Sequence, residues 1–261
     1  MQYGFIGCGN MGGAIARALA KATKDFMITY RSGKANALAQ ELGCAYGDNE
    51  TAARTCDRLF LGVKPHMMGV VLEALKPILA ERKPLLITMA AGLEIQQIEA
   101  FAGCRLPVIR IMPNTPVAVG QGVIQYCRND LVTEEVLNQV LHDLRFAGRL
   151  DGLDEKLIDA ASAVSGCGPA YAYLFIEAMA DGAVACGVPR AKALEYAAAT
   201  LIGAGEMVLA TGQHPGALKD AVCSPGGSTI AGVRALEEHG FRGAVMDCVI
   251  AAYERNKQLG K

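Results

Sequence analysis

The 261 residues predict an α/β protein with an all-helical second part, and three features of the sequence carry that expectation. Up to about residue 150, short apolar runs alternate with stretches of helical periodicity, the pattern of a mostly parallel sheet covered on both faces. The first run leads into Gly7-Cys8-Gly9-Asn10-Met11-Gly12, a glycine spacing that suits a tight strand-to-helix turn. After Leu150 the β-rich runs vanish and each periodic segment reads as helix. The expected fold is an N-terminal Rossmann-type dinucleotide-binding domain over residues 1–150, followed by an all-α domain over residues 151–261.

Taken in chain order, the predicted strands are Tyr3 to Ile6, Met27 to Tyr30, Arg58 to Val63, Leu85 to Met89, Val108 to Met112 and Val123 to Cys127. Helix periodicity fills the intervals at Asn10 to Ala22, Ala35 to Leu42, His66 to Ala80, Glu94 to Phe101 and Glu134 to Phe146. In the second part, helices are expected at Leu157 to Val164, Pro169 to Ala185, Arg190 to Thr211, Ser228 to His239 and Phe241 to Leu259. Gly-Val-Pro at 187 to 189, Gly-Gln-His-Pro at 212 to 215 and His-Gly at 239 to 240 separate them.

The glycine motif points to a dinucleotide. Gly7 permits the turn, Gly9 lets backbone approach a pyrophosphate, and Gly12 lets the helix from Asn10 pack closely on the sheet with its N–H groups toward the phosphates. Cys8, Asn10 and Met11 complete this cofactor-binding turn. The second strand ends in Arg31-Ser32, with Lys34 close behind, where an NAD-binding half usually carries an acid for the ribose 2′-hydroxyl. A guanidinium, a hydroxyl and an ammonium suit a 2′-phosphate, so NADP(H) is the expected cofactor, with NAD(H) the second choice.

Further along, Val63-Lys64-Pro65 closes a strand at the rim where the nicotinamide half of the cofactor belongs. The Lys64 ammonium reads either as a partner of cofactor oxygens or as a solvated charge. In Met89-Ala90-Ala91-Gly92, small residues let a flat ring approach backbone, or simply form a βα turn. Two prolines bracket Asn114 and Thr115 in Met112-Pro113-Asn114-Thr115-Pro116, which fixes a site-lining loop and puts the Asn114 amide among the cofactor-binding candidates.

Two helix starts in the second part also draw attention. Ser165-Gly166-Cys167-Gly168-Pro169-Ala170-Tyr171 places a proline at a first helical turn. In Cys223-Ser224-Pro225-Gly226-Gly227-Ser228-Thr229, two glycines and two hydroxyls open a helix whose N–H groups can hold a carboxylate. Thr229 is positioned in sequence to donate to a reacting nitrogen, while capping by Ser224 or Ser228 would explain the hydroxyls but not the doubled glycine.

A formal net charge of -1 argues against nucleic acid or an anionic membrane as partner. Nine cysteines, scattered and without a Cys-x-x-Cys pair, read as small buried hydrophobes in a reducing compartment. Four histidines (66, 142, 214 and 239) show no metal-ligand spacing, so no metal is expected. The first strand begins within a few residues of Met1, which leaves no room for a signal or transit peptide and predicts a cytoplasmic protein. Ala160 to Ile176 and Ile111 to Cys127 are the longest uncharged stretches, and glycine and proline interrupt both, so no membrane span is expected. The helix from Pro169 is apolar nearly all round, with only Glu177 and Asp181 charged, and a small bundle cannot bury such a helix alone. A homodimer that shares this core is the expected assembly.

Taken together, Gly7-x-Gly9-x-Met11-Gly12, Val63-Lys64-Pro65, Met112-Pro113-Asn114-Thr115-Pro116, Ser165 to Tyr171 and Ser224 to Thr229 resemble the Δ1-pyrroline-5-carboxylate reductase family over essentially the whole length. Two departures are small: Cys167 stands where serine is more usual, and Ser228 where threonine or alanine is common. The resemblance implies NAD(P)H-dependent reduction of a cyclic imino acid to L-proline, the last step of proline biosynthesis, by dimers that often assemble further. It also implies cofactor contacts at Ser32, Asn49, Val63, Lys64 and Ala90, and substrate contacts at Ser228 and Thr229. On that basis Gly226, Gly227, Ser228 and Thr229 are the substrate-binding candidates, Thr229 is the catalytic one, and Pro65 joins the cofactor-binding set. A β-hydroxyacid dehydrogenase would need a catalytic lysine after its interdomain glycine motif, and Pro169 to Gly187 contains none. A non-catalytic NADP(H)-binding regulator would not need the glycine-rich helix starts of the second part.

Overall fold

The computed structural model describes residues 1–29 and 33–259. Strand β1 (Tyr3–Ile6) is followed by helix α1 (Asn10–Leu19), then β2 (Phe26–Thr29), α2 (Gly33–Leu42), β3 (Ala45–Gly47), α3 (Asn49–Thr55) and β4 (Arg58–Leu61). The chain continues through α4 (Pro65–Arg82), β5 (Leu85–Thr88), α5 (Ile95–Ala102) and β6 (Val108–Met112). A 3-10 turn (Thr115–Val119), β7 (Gly122–Arg128), α6 (Glu134–Leu144), a second 3-10 turn (Arg145–Ala147) and β8 (Gly148–Gly152) complete the sheet region. Six helices follow among the described residues: α7 (Glu155–Ser165), α8 (Gly168–Ala185), α9 (Arg190–Thr211), α10 (Pro215–Ala221), α11 (Ser228–Glu238) and α12 (Phe241–Leu259).

The described strands form one sheet in the order β3-β2-β1-β4-β5-β6-β7-β8. Each neighbouring pair is parallel except β6 with β7, so the mostly parallel sheet expected from the sequence is present. The order reverses between β1 and β4, and in open α/β sheets that switch point opens a crevice beyond the carboxyl ends of the strands.

Alternation along the strands feeds two cores. Phe5, Phe26, Ile28, Phe60 and Ile87 point to one face, under α1, α2 and α6. Ile6, Leu59, Leu61 and Leu86 point to the other, against Met68, Leu72, Leu75 and Ile98 of α4 and α5. The Phe5 and Phe60 rings stack with centroids 4.5 Å apart.

Four of the described strands and α-helices, β3, β8, α10 and α3, are not predicted by the sequence pattern. β3 is three residues long and half-exposed, so it lacks an apolar run; β8 is Gly-Arg-Leu-Asp-Gly, largely solvent-facing; α10 begins at the proline that reads as a breaker. The short α3 goes unread although Asp48 caps it by accepting from the Thr51 N–H.

The chain separates into two compact units, residues 1–167 with 252–261, and residues 168–251. The change in texture at Leu150 thus falls before the change in packing, which comes after Cys167. α7 stays with the sheet, where Arg110 of β6 donates to Asp159, and the end of α12 returns to it through Asn256, which donates to the Asp159 carbonyl at 3.1 Å. In the second unit the buried core is small, Ala180, Ala193 and Ala197, while Leu174, Ile202, Leu209 and Met246 are more than half exposed. α9 is also long and apolar enough to cross a membrane by length and composition, although Arg190, Lys192, Glu195 and Glu206 punctuate it.

Candidate functional site

At the switch point, three glycines let three backbone segments meet. Gly7 has φ of +89°, a left-handed conformation that disfavours a side chain. A Cβ on Gly12 would lie 2.6 Å from the Gly7 carbonyl oxygen, and one on Gly62, just past β4, would collide with the same atom. The loop after β1 is therefore clamped between the first turn of α1 and the exit of β4. Above Gly9 there is open space, with nothing within 4 Å of where its Cβ would be. Gly9 also N-caps α1 without any side chain taking the first-turn N–H groups. Those donors and the positive end of the helix face the opening, a cradle for a phosphate.

The opening leads into a cleft of about 660 Å³. Its walls are Gly9, Asn10 and Met11 of the first turn, Gly62 to Pro65 after β4, Met89 to Ala91 after β5, and Thr115 with Ala118 of the 3-10 turn. Lys64 is exposed and N-caps α4 with an extended backbone, followed by Pro65 at the first helical position. Backbone donors at one end, small apolar residues at the other and a lysine at the rim fit a dinucleotide.

In the second unit, Gly226 adopts φ of +70° and Gly227 N-caps α11 with no side-chain hydrogen bond to the first turn. The Gly227 N–H donates to the Ser224 carbonyl at 3.0 Å, while no side chain caps the Ser228 and Thr229 N–H groups, which are left for another acceptor. Ser228 and Thr229 are exposed at the start of α11, and a groove of about 400 Å³ runs from Gly226 along Ile230 and Arg234.

Residues 155–259 match the family model described as pyrroline-5-carboxylate reductase dimerisation, and residues 2–92 match that of NADP oxidoreductase coenzyme F420-dependent. The pyrroline-5-carboxylate reductase of Escherichia coli strain K12 is 41% identical over 266 residues, covering 100% of this chain and 98% of that protein. The chain belongs to the pyrroline-5-carboxylate reductase family. The Pisum sativum member of the family is 40% identical over 98% of this chain and 95% of its own. The crystal structure of the Plasmodium falciparum pyrroline carboxylate reductase, with NADP bound, superposes with a TM-score of 0.90 at 37% identity, covering 100% of this chain and 98% of that one.

Against this family background, the residues singled out from the sequence fall into distinct places. Gly9, Asn10, Met11, Val63, Lys64, Pro65 and Ala90 line the cleft. Gly7 and Gly12 lie behind it, spent on close packing. Cys8 packs against the core, and burial pushes its thiol up to about 12. Asn49 accepts the Thr29 hydroxyl at 2.6 Å. Asn114 is 6% exposed, and its amide bonds inward: Nδ2 donates to the Ser165 carbonyl at 2.8 Å, and Oδ1 accepts from the Val123 N–H at 2.9 Å. Arg31, Ser32 and the side chain of Lys34 lie outside the described residues. All nine cysteines are free, and no group of three metal-ligating side chains occurs among the described residues.

Several residues of the cleft and its support, Ala14 among them, are not among the sequence candidates. Gly62 had a signal, a glycine at the end of an apolar run. Ala118 had none. Thr29 and Arg110 sit within strands, where a hydroxyl and a guanidinium signal nothing until their partners are known. Arg110 is 1% exposed and donates to Asp159 at 2.7 Å and Glu155 at 3.4 Å.

Proposed function

We infer that this chain reduces L-Δ1-pyrroline-5-carboxylate to L-proline with NADPH, with NADH as the weaker donor. The carrying observation is end-to-end similarity to reductases of that name, joined to a cleft whose backbone donors and small walls fit the cofactor. Bound NADPH supplies a hydride. The rest of the task is to bind a small anionic ring, keep its nitrogen protonated and orient its C=N carbon. Hydride adds to that carbon, the C=N π pair becomes a lone pair on nitrogen, and the proton already on the iminium remains there.

The first turn of α1 receives the pyrophosphate through backbone N–H groups, and Lys64 adds a cation at the rim. Val63, Pro65 and Ala90 form the wall of the nicotinamide end, while Arg31, Ser32 and Asn49 serve the adenosine end. The first-turn N–H groups of Ser228 and Thr229, at the helix start that Gly226 and Gly227 open, grip the carboxylate, and the Thr229 hydroxyl contacts the ring nitrogen. Asn114 acts by holding the Thr115 wall in place, since both ends of its amide are engaged.

The matched dimerisation model and the exposed leucines, isoleucines and methionine of α8, α9 and α12 support a homodimer. We assign the apolar surface of α9 to that contact rather than to a bilayer, and we place the enzyme in the cytoplasm. Assembly of dimers into larger particles is a further expectation for light scattering to decide.

Loss of NADPH absorbance on addition of pyrroline-5-carboxylate tests the activity. Thr229→Ala is expected to raise KM, lower kcat, or both. Wild-type kinetics in that variant would remove Thr229 from the mechanism, and no substrate-dependent oxidation by the unaltered protein would refute the activity.

A further inference from the structure

We propose that Thr29 is a specificity-determining positioning residue, which fixes the Asn49 amide so that it offers donors alone to the 2′-phosphate of the cofactor. This rests on the NADP(H) reading above. Thr29 ends β2, Asn49 lies two residues beyond β3, and the two strands pair in parallel with Thr29 opposite Gly47. Both residues therefore stand at the carboxyl rim on the side of β1 away from β4, where the adenosine half of a dinucleotide lies in this topology.

Thr29 is 3% exposed, and its hydroxyl donates to Asn49 Oδ1 at 2.6 Å. A primary amide left to itself is ambivalent, with an acceptor oxygen and a donor nitrogen on opposite sides of one rotatable head. Here the buried hydroxyl engages the oxygen, which orients the head and turns the Nδ2 hydrogens away from Thr29. Asn49 itself is half-buried, so this head can meet a ligand.

A donor-only group gains most from an anionic phosphate oxygen; a ribose 2′-hydroxyl accepts from it more weakly and keeps its own proton unmatched, whereas an acid accepts that proton. The Thr29–Asn49 pair thus adds a neutral donor to whatever charge the second strand supplies. Of the described residues flanking Asn49, Asp48 accepts from the Thr51 N–H and Glu50 pairs with Arg54.

Equilibrium binding provides the test, without turnover. NADPH and NADH are titrated by nicotinamide fluorescence, and 2′,5′-ADP and 5′-ADP compete as fragments, against the full-length protein and its Thr29→Val, Thr29→Ser and Asn49→Asp variants. Thr29→Val is expected to weaken NADPH and 2′,5′-ADP about 5- to 20-fold while NADH and 5′-ADP change less than about 2-fold. Thr29→Ser restores the discrimination, and Asn49→Asp lowers the NADPH-to-NADH affinity ratio at least about 10-fold. An equal loss for both cofactors in Thr29→Val, or an unchanged ratio in Asn49→Asp, would overturn the proposal. Should the unaltered protein bind NADH but not NADPH, the cofactor reading itself fails, and this inference with it.

Discussion

Asn114 Nδ2 donates to the carbonyl oxygen of Ser165 at 2.8 Å, and so joins the loop after β6 to the last turn of α7. The same amide receives the Val123 N–H, and the Ser165 hydroxyl donates in turn to Gln125 at 3.0 Å. One buried side chain thereby ties three segments around the 3-10 turn that supplies Thr115 and Ala118 to the cleft. Asn114→Ala should cost about 2–4 kcal/mol in urea unfolding, because it strands a buried N–H and removes the hold on a carbonyl. It should also weaken NADPH binding several-fold; unchanged stability would show that the bonds carry no load.

Two glycines of one motif should respond in opposite ways. Gly12→Ala forces a Cβ to 2.6 Å from the Gly7 oxygen, and the helix must shift, so both stability and cofactor binding should fall. Gly9→Ala meets nothing in the free protein. It should leave the melting temperature within about 2 °C and still weaken NADPH about 10-fold or more by filling the cradle. A parallel loss of stability in Gly9→Ala would contradict this division of labour.

Arg110 is the largest buried side chain in the sheet, and it offers one guanidinium to two acids of α7. Arg110→Met would leave Glu155 and Asp159 without that partner. Since both acids keep 28% exposure, water offsets part of the loss, and about 2–3 kcal/mol is expected. Arg110→Lys should cost less but not recover wild-type stability, because an ammonium does not span both carboxylates. Urea denaturation of the three proteins checks the order.

Burial pushes the thiols of Cys8 and Cys127 up to about 12, from an ordinary 9.0. The folded state therefore holds these protons more tightly than the unfolded chain does. Their contribution is whole below about pH 9 and is lost as pH rises toward 12, so stability should fall across that window. Cys8→Ala should flatten this alkaline slope. At pH 8 a thiol reagent should modify the exposed Cys186 first and reach Cys8 far more slowly; equal rates would refute the burial argument.

Leu174 and Ile202 are 65% and 67% exposed on α8 and α9. Leu174→Glu with Ile202→Glu should convert the dimer to monomer or aggregate in light scattering, because two carboxylates would be desolvated in the shared core. A dimer of unchanged mass would place the contact elsewhere.

Much of the sheet is legible because parallel strands buried on both faces leave short apolar runs such as Tyr3 to Ile6 and Leu85 to Ile87. The half-exposed edge strand Ala45–Gly47 and the polar Gly148–Gly152 leave no such run. Of the site, the local parts were readable: the turn from Gly7 to Gly12 and the corner Val63 to Pro65 act through backbone geometry that their own residue types dictate. Asn114 looked like a ligand contact because a polar residue between prolines suits a loop. Its partner Ser165 stands 51 residues away, a distance in sequence that no local pattern spans.

By itself, then, the sequence determined most of the order of strands and helices, the glycine-bearing turn after the first strand and the two glycine-opened helix starts. These follow from periodicity and from conformations that a few residues decide among themselves. Tertiary structure alone decided which glycine abuts the Gly7 carbonyl, that Arg110 is buried against α7, and that Thr29 and Asn114 spend their polar groups inside the protein. Those outcomes depend on which distant segments meet, and a buried donor or acceptor takes its partner from that meeting rather than from its neighbours in the chain.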